Sequence, residues 1–180
     1  MLKSLLAAPI RAFERRYDYD MSYARELLEI DTAAFLKFGR VTALSQYCRD
    51  LPIDAAFAAK LVGTLHEDCG PCTQLVVTMA EAQGVAPTTL KAILQRQPDA
   101  LPANAQLGYR FAEAVLMRHP DADTLRQAVV ARWGRRALVS LAFGLLSARL
   151  YPTLKYALGH AHTCVRVQVA GEALAVAGHA

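Results

Sequence analysis

The stretch "HEDCGPCTQLVVTMA", residues 66–80, holds two cysteines two residues apart with Gly70 and Pro71 between them, followed by an apolar run. Leu75, Val76 and Met79 fall on one face at helical spacing, and Gly84 supplies a stop beyond them. Pro71 suits the first turn of such a helix, where its missing N–H costs nothing. Upstream, "DAAFAAKLVGTLH", residues 54–66, is also helical in pattern, with Asp54 placed to cap it. The pair Cys69 and Cys72 therefore straddles a helix start, between two helices. Three chemistries suit it: a dithiol–disulfide couple, half of a zinc site, or two thiols that merely sit near a helix end.

Working outward, most of the chain is helical. Apolar residues recur near a period of 3.6 over residues 21–38, with Gly39 as a stop. Pro87 opens a short helix to about Arg96, and "QPDALPANA", residues 97–105, is a loop. Leu107, Phe111, Ala114 and Val115 mark the next helix, ended by His119-Pro120. Asp121 or Asp123 caps another, running to about Trp133. The apolar segment that follows reaches Tyr151, where Pro152 is expected to break it. In "CVRVQVAGEALAV", residues 164–176, the alternation changes to period two around Ala170-Gly171, which predicts a β-hairpin. The expected architecture is all-α, with a helical domain over residues 1–163 and a hairpin appendage over residues 164–180 packed on helices or on a partner.

With 54% hydrophobic and 20% charged residues in 180, the chain has the means to build a core and is globular. The longest membrane-like stretch, "ALVSLAFGLLSA" at residues 137–148, is twelve residues between Arg136 and Arg149. A spanning helix takes about twenty, so this is expected to be a buried core helix and no membrane span is predicted. The first twenty residues lack the apolar core and cleavage site of a signal peptide, and a cytoplasmic location is the expectation. Net charge is +4, but acids are scattered among the arginine groups Arg15-Arg16 and Arg132, Arg135, Arg136. This pattern does not build a nucleic-acid groove. No glycine-rich phosphate loop is present, and no cofactor is expected.

In a reducing compartment the four cysteines are thiols, a redox pair or metal ligands before they are structural disulfides. A helix N-terminus favours thiolate over thiol through its free N–H groups and dipole. A thiolate attacks a peroxide or a disulfide, and a second thiol two residues on resolves the product. By that argument Cys69, nearer the helix end, is the more acidic. His66, Cys69 and Cys72 could also ligate zinc, but a fourth ligand would have to come from Cys164 or from His160 and His162. Cys48 and Cys164 are expected to be small buried hydrophobes, Trp133 a core or interface aromatic, and His160-x-His162 a polar turn. The three arginines around Trp133 are expected at a solvated helix end or an interface, and Gln74 either faces the cysteines or lies at the surface.

Cys-Gly-Pro-Cys is the tetrapeptide of thioredoxins, but that fold needs a strand leading into the motif, and here a helix does. The organisation instead resembles the alkylhydroperoxidase D-like, or carboxymuconolactone decarboxylase-like, family. The likeness covers about residues 54–158, including "LGYRFAEAVLMRHPDADTLRQAV" (107–129) and "WGRRALVSLAFGLLSARLYP" (133–152). It implies a helical homo-oligomer in which Cys69 and Cys72 cycle between dithiol and disulfide, reducing a peroxide or a protein disulfide at the expense of a thiol electron donor. It also implies that Cys72 meets the peroxide and Cys69 resolves. Peroxidase members carry a glutamate about three turns before the first cysteine, where residues 54–65 have none. They carry histidines at the positions of Pro71 and Val76. His66 and Glu67 are the local groups expected to stand in for that proton relay, His66 by taking a thiol proton near neutral pH. The alternative expectation is a catalytically silent helical oligomer with a structural or interaction role.

Overall fold

The computed structural model describes residues 2–160 and 166–176. The elements are α1 (Leu2–Tyr17), α2 (Ser22–Ile30), α3 (Thr32–Gly39), α4 (Val41–Gln46), α5 (Ile53–His66), α6 (Gly70–Ala82), α7 (Pro87–Leu94), a 3-10 turn (Pro98–Ala100), α8 (Ala103–Leu116), α9 (Ala122–Ala157), β1 (Arg166–Val169) and β2 (Glu172–Ala175). The expected all-α fold with a short C-terminal hairpin is what the chain adopts.

α5 is the centre of the molecule. Ala55, Ala56, Ala58 and Ala59 are all buried, and so are Phe57, Leu61, Val62 and Leu65. Side chains this small let α8 and α9 approach closely; an alanine methyl at Gly108 of α8 would lie 2.5 Å from the carbonyl oxygen of Ala55. α9 presents Ala137, Leu141, Gly144, Leu145, Ala148 and Pro152 to the interior, a stripe at helical spacing. These elements, with α6 and α7, bury one large core. A second, smaller core gathers Ile10, Tyr19, Tyr23, Ala24 and Leu28 of the N-terminal layer, with Leu75 of α6 and Tyr151, Leu154 and Leu158 of the α9 end packed on it.

Several boundaries differ from expectation for local reasons. The helix expected over residues 21–38 divides at Asp31, which is extended (φ −151°, ψ 109°) and accepts a hydrogen bond from the Ala33 N–H at 2.7 Å to cap α3. Asp54 does not cap α5. Pro52 holds that position, and Asp54 lies in the first turn with its carboxylate accepting from the Ala55 N–H at 2.9 Å. Pro152 does not end α9, although an interior proline costs about 3 kcal/mol. Tyr151, Leu154 and Leu158, on either side of it, bury against the second core, and that packing carries the helix past it. Near Trp133 the expected stop appears as a kink, with Gly134 at φ 87° and ψ 174°.

The apolar segment of α9 is only partly the buried core helix expected, since Val139 and Leu146 are 41% and 49% exposed. α9 is long and apolar enough to cross a membrane by length and composition alone, and 44% of its most apolar window is buried inside the protein.

The hairpin pairs Val169 with Glu172 and Val167 with Leu174. Its two-residue turn places Ala170 and Gly171 at φ 51° and 78°, the signs of the primed turns that match strand twist. Val167 and Val169 point into the large core, while Gln168 faces out. Gln74 lies part-exposed at the surface, one of its two expected places, and its side-chain amide donates to the Gln168 carbonyl at 3.1 Å and accepts from the Gln168 N–H at 2.7 Å. Glu81 accepts from the Ala170 N–H at 2.6 Å, and Lys91 pairs with Glu172 at 2.6 Å. Gln74→Ala is expected to cost about 1 kcal/mol and to speed amide exchange at Gln168 roughly fivefold by local opening of the hairpin. Unchanged exchange at Gln168 would show that the valine burial alone holds the hairpin down.

Candidate functional site

The motif lies in a tight turn between α5 and α6. Beyond His66, Asp68 takes the left-handed conformation (φ 48°), and the Asp68 and Cys69 N–H groups donate back to Leu65 and Thr64 carbonyls at 3.2 and 3.4 Å. Cys69 is then extended (φ −101°, ψ 99°) and occupies the N-cap of α6, with Pro71 in the first turn as expected. The Thr73 N–H and hydroxyl both donate to the Cys69 carbonyl, at 2.9 and 3.0 Å. A chain that must reverse within three residues thus brings both cysteines to one helix start, with Cα atoms 5.3 Å apart and the sulfurs joined as a disulfide.

The disulfide is covered: Cys69 is 1% and Cys72 4% exposed. One contact over Cys72 comes from the N-terminal layer. The Tyr19 hydroxyl, on the turn between α1 and α2, lies 3.7 Å from the Cys72 sulfur. Behind it, the Lys155 ammonium donates to the Tyr19 oxygen at 3.3 Å and sits over the rings of Tyr19 and Tyr23, 4.9 and 5.5 Å from their centroids. Burial pulls Lys155 below the ordinary lysine range. Burial, helped by Asp20 and Tyr151, raises the Tyr19 phenol far above its ordinary value, so it stays a donor.

Of the residues expected to serve the cysteines, Glu67 forms the C-cap of α5 and its carboxylate accepts from Arg149 Nε at 2.5 Å and from the Thr153 hydroxyl at 3.4 Å. This ties the turn before the motif to α9, as does the Tyr156 hydroxyl, which donates to the Asp68 carbonyl at 3.4 Å. His66 is half-buried in the last turn of α5. Cys48 is not the buried hydrophobe expected: it is exposed in the loop after α4, and its thiol lies 3.8 Å from the Leu51 carbonyl. Cys164 and His162 lie outside the described residues. His160 follows the turn that ends α9, and its ring pairs with Glu26 and lies 3.0 Å from the Ser22 hydroxyl, joining α2 to the end of α9. Among the described residues, no group of three or more His, Cys, Asp or Glu side chains is gathered to hold a metal.

Trp133 is partly buried against the large core, with Arg132 stacked over it and bonded to Asn104 at 2.8 Å. Arg136 pairs with the exposed Asp50 at 2.6 Å.

Tyr19 and Lys155 are the site residues that the sequence pattern did not disclose. The one local signal is a lysine on the apolar stripe of α9, and nothing in its neighbourhood pairs it with a tyrosine 136 positions away. Comparison with protein-family models, curated proteins and solved structures yields no match to this chain.

Proposed function

We propose that this protein is a thiol-dependent oxidoreductase in which Cys69 and Cys72 cycle between dithiol and disulfide. The observation that carries the reading is the disulfide across the N-cap and first turn of α6, where thiolate charge is favoured by the helix terminus. In the oxidative half, one thiolate attacks a hydroperoxide, forming a sulfenic acid and an alcohol. The second thiol displaces water to form the disulfide. A thiol donor returns the pair to the dithiol. The depth of both cysteines favours a small oxidant over a protein disulfide as substrate. The alkylhydroperoxidase D-like relationship belongs to this proposal and rests on the motif and the helical organisation. A homo-oligomer and a cytoplasmic location complete it, both resting on the same relationship.

The same burial favours a second reading, a silent structural link that holds the turn between α5 and α6. One experiment separates them. The protein is reduced with dithiothreitol, freed of reductant and given one equivalent of hydroperoxide, and each cysteine is followed by peptide mass spectrometry. The enzyme reading expects Cys69–Cys72 to re-form far faster than the exposed Cys48 oxidises. Re-formation no faster than Cys48 oxidation, or a pair that resists reduction in the folded protein, leaves the structural link.

A further inference from the structure

Resting on the thiol–disulfide reading above, we propose that Lys155 and Tyr19 form a donor chain that holds the thiolate of Cys72, making Cys72 the sulfur released when the disulfide is reduced. The geometry is a sequence of two contacts: the Lys155 ammonium to the Tyr19 oxygen at 3.3 Å, and the Tyr19 hydroxyl to the Cys72 sulfur at 3.7 Å. A hydrogen bond to sulfur is long by nature, and it strengthens when the sulfur becomes an anion.

The chain has an unusual cost. Lys155 is 2% exposed. Among the described residues no carboxylate lies within ion-pair distance of it. Asp20 acts on it only from farther off. The other titratable groups around the pair are the phenols of Tyr23 and Tyr151, which burial keeps protonated. A buried ammonium without a paired anion is destabilising, and an apolar residue of similar length would pack there at less cost. Reduction of the disulfide supplies the missing anion. The Cys72 thiolate would appear at the far end of a donor chain already in place, with no reorganisation needed.

The step balances as follows. A thiolate of a small external dithiol attacks the Cys69 sulfur, the Cys69–Cys72 bond breaks, and its electron pair leaves on Cys72. The Tyr19 O–H donates to that thiolate while the Lys155 ammonium donates to Tyr19. The second thiolate of the external dithiol then displaces the Cys69 sulfur, so the external dithiol is oxidised and the protein reduced by two electrons. A better-stabilised leaving thiolate departs faster, which sends the attack to Cys69. Tyr19 touches the reacting sulfur, and Lys155 is a positioning residue acting through it.

The test uses the reduced full-length chain with cysteines labelled at ¹³Cβ, whose shift reports thiolate formation even at buried sites, and with no substrate present. In the wild type Cys72 is expected to titrate below the usual thiol value of about 8.5. Tyr19→Phe and Lys155→Met should each move that titration up by about one pH unit or more, with Cys69 moving less. Lys155→Arg, which keeps the charge, should restore most of the wild-type behaviour. An ordinary titration of Cys72 in the wild type, or one that ignores both substitutions in proteins whose spectra remain dispersed, overturns the proposal. Because no turnover enters the measurement, failure of peroxide to re-form the disulfide would sink the enzyme reading and leave the donor chain standing.

Discussion

Replacing Gly108 with alanine is expected to destabilise the protein by about 3 kcal/mol, near the upper end for an added methylene in a packed core. The new methyl would sit 2.5 Å from the Ala55 carbonyl oxygen, 2.9 Å from its Cα and 3.0 Å from its carbonyl carbon. These are backbone atoms of the central helix, so no side chain can swing aside to make room. α5 and α8 would have to part, and α5 also carries the contact with α9 and the turn that presents the cysteines. Gly39, whose added methyl meets nothing within 4 Å, is the matched control. Gly39→Ala should stay within about 0.5 kcal/mol of wild type. Urea denaturation of the two variants decides the matter. A Gly108→Ala midpoint equal to wild type would mean that the α5–α8 contact is not as close as described.

Cys69→Ser and Cys72→Ser are each expected to abolish thiol-dependent peroxide turnover, because each removes one half of the dithiol. Each should also cost stability by the same amount, about 2 kcal/mol for losing the closure of a four-residue loop. Their chemistry should differ. In Cys69→Ser the remaining Cys72 thiolate has no resolving partner, so peroxide should leave it as a sulfenic acid trapped by dimedone. In Cys72→Ser the remaining thiol lacks the Tyr19 hydroxyl and should label more slowly. A pair of single variants that turn over at the wild-type rate would exclude the dithiol cycle. Equal dimedone labelling in both would leave the cycle but remove the distinction between the two sulfurs.

What the sequence disclosed was local. Pro71 inside a first turn, Gly84 behind the motif helix and the period-two valines around Ala170-Gly171 each act within a few residues of themselves, so their elements could be placed. The departures arose where a distant partner decided the outcome. Pro152 would break a helix judged alone, and α9 continues because its end is packed on the N-terminal layer. Asp31 erred in the other direction, a capping residue hidden inside a periodic apolar pattern. The candidate site divides along the same line. The cysteines and their position at a helix start were legible, whereas the Tyr19 hydroxyl and the Arg149 partner of Glu67 lie 53 and 82 positions away. Spacing carries no record of such pairs.

The amide of Gln74 has a role wider than fastening the hairpin. In a two-residue hairpin that pairs Val169 with Glu172, the residue opposite Ala173 turns its N–H and C=O away from the partner strand. That residue is Gln168, and both of its outward groups are taken by one glutamine side chain. A side-chain amide has the same donor and acceptor as a peptide, so Gln74 behaves as a single rung of a third strand. An unpaired strand edge invites strands from other molecules. With Glu81 holding the next N–H of the turn, helix α6 serves as an edge guard, and β1 is shielded at its centre from the intermolecular sheet growth that short valine-rich strands otherwise promote.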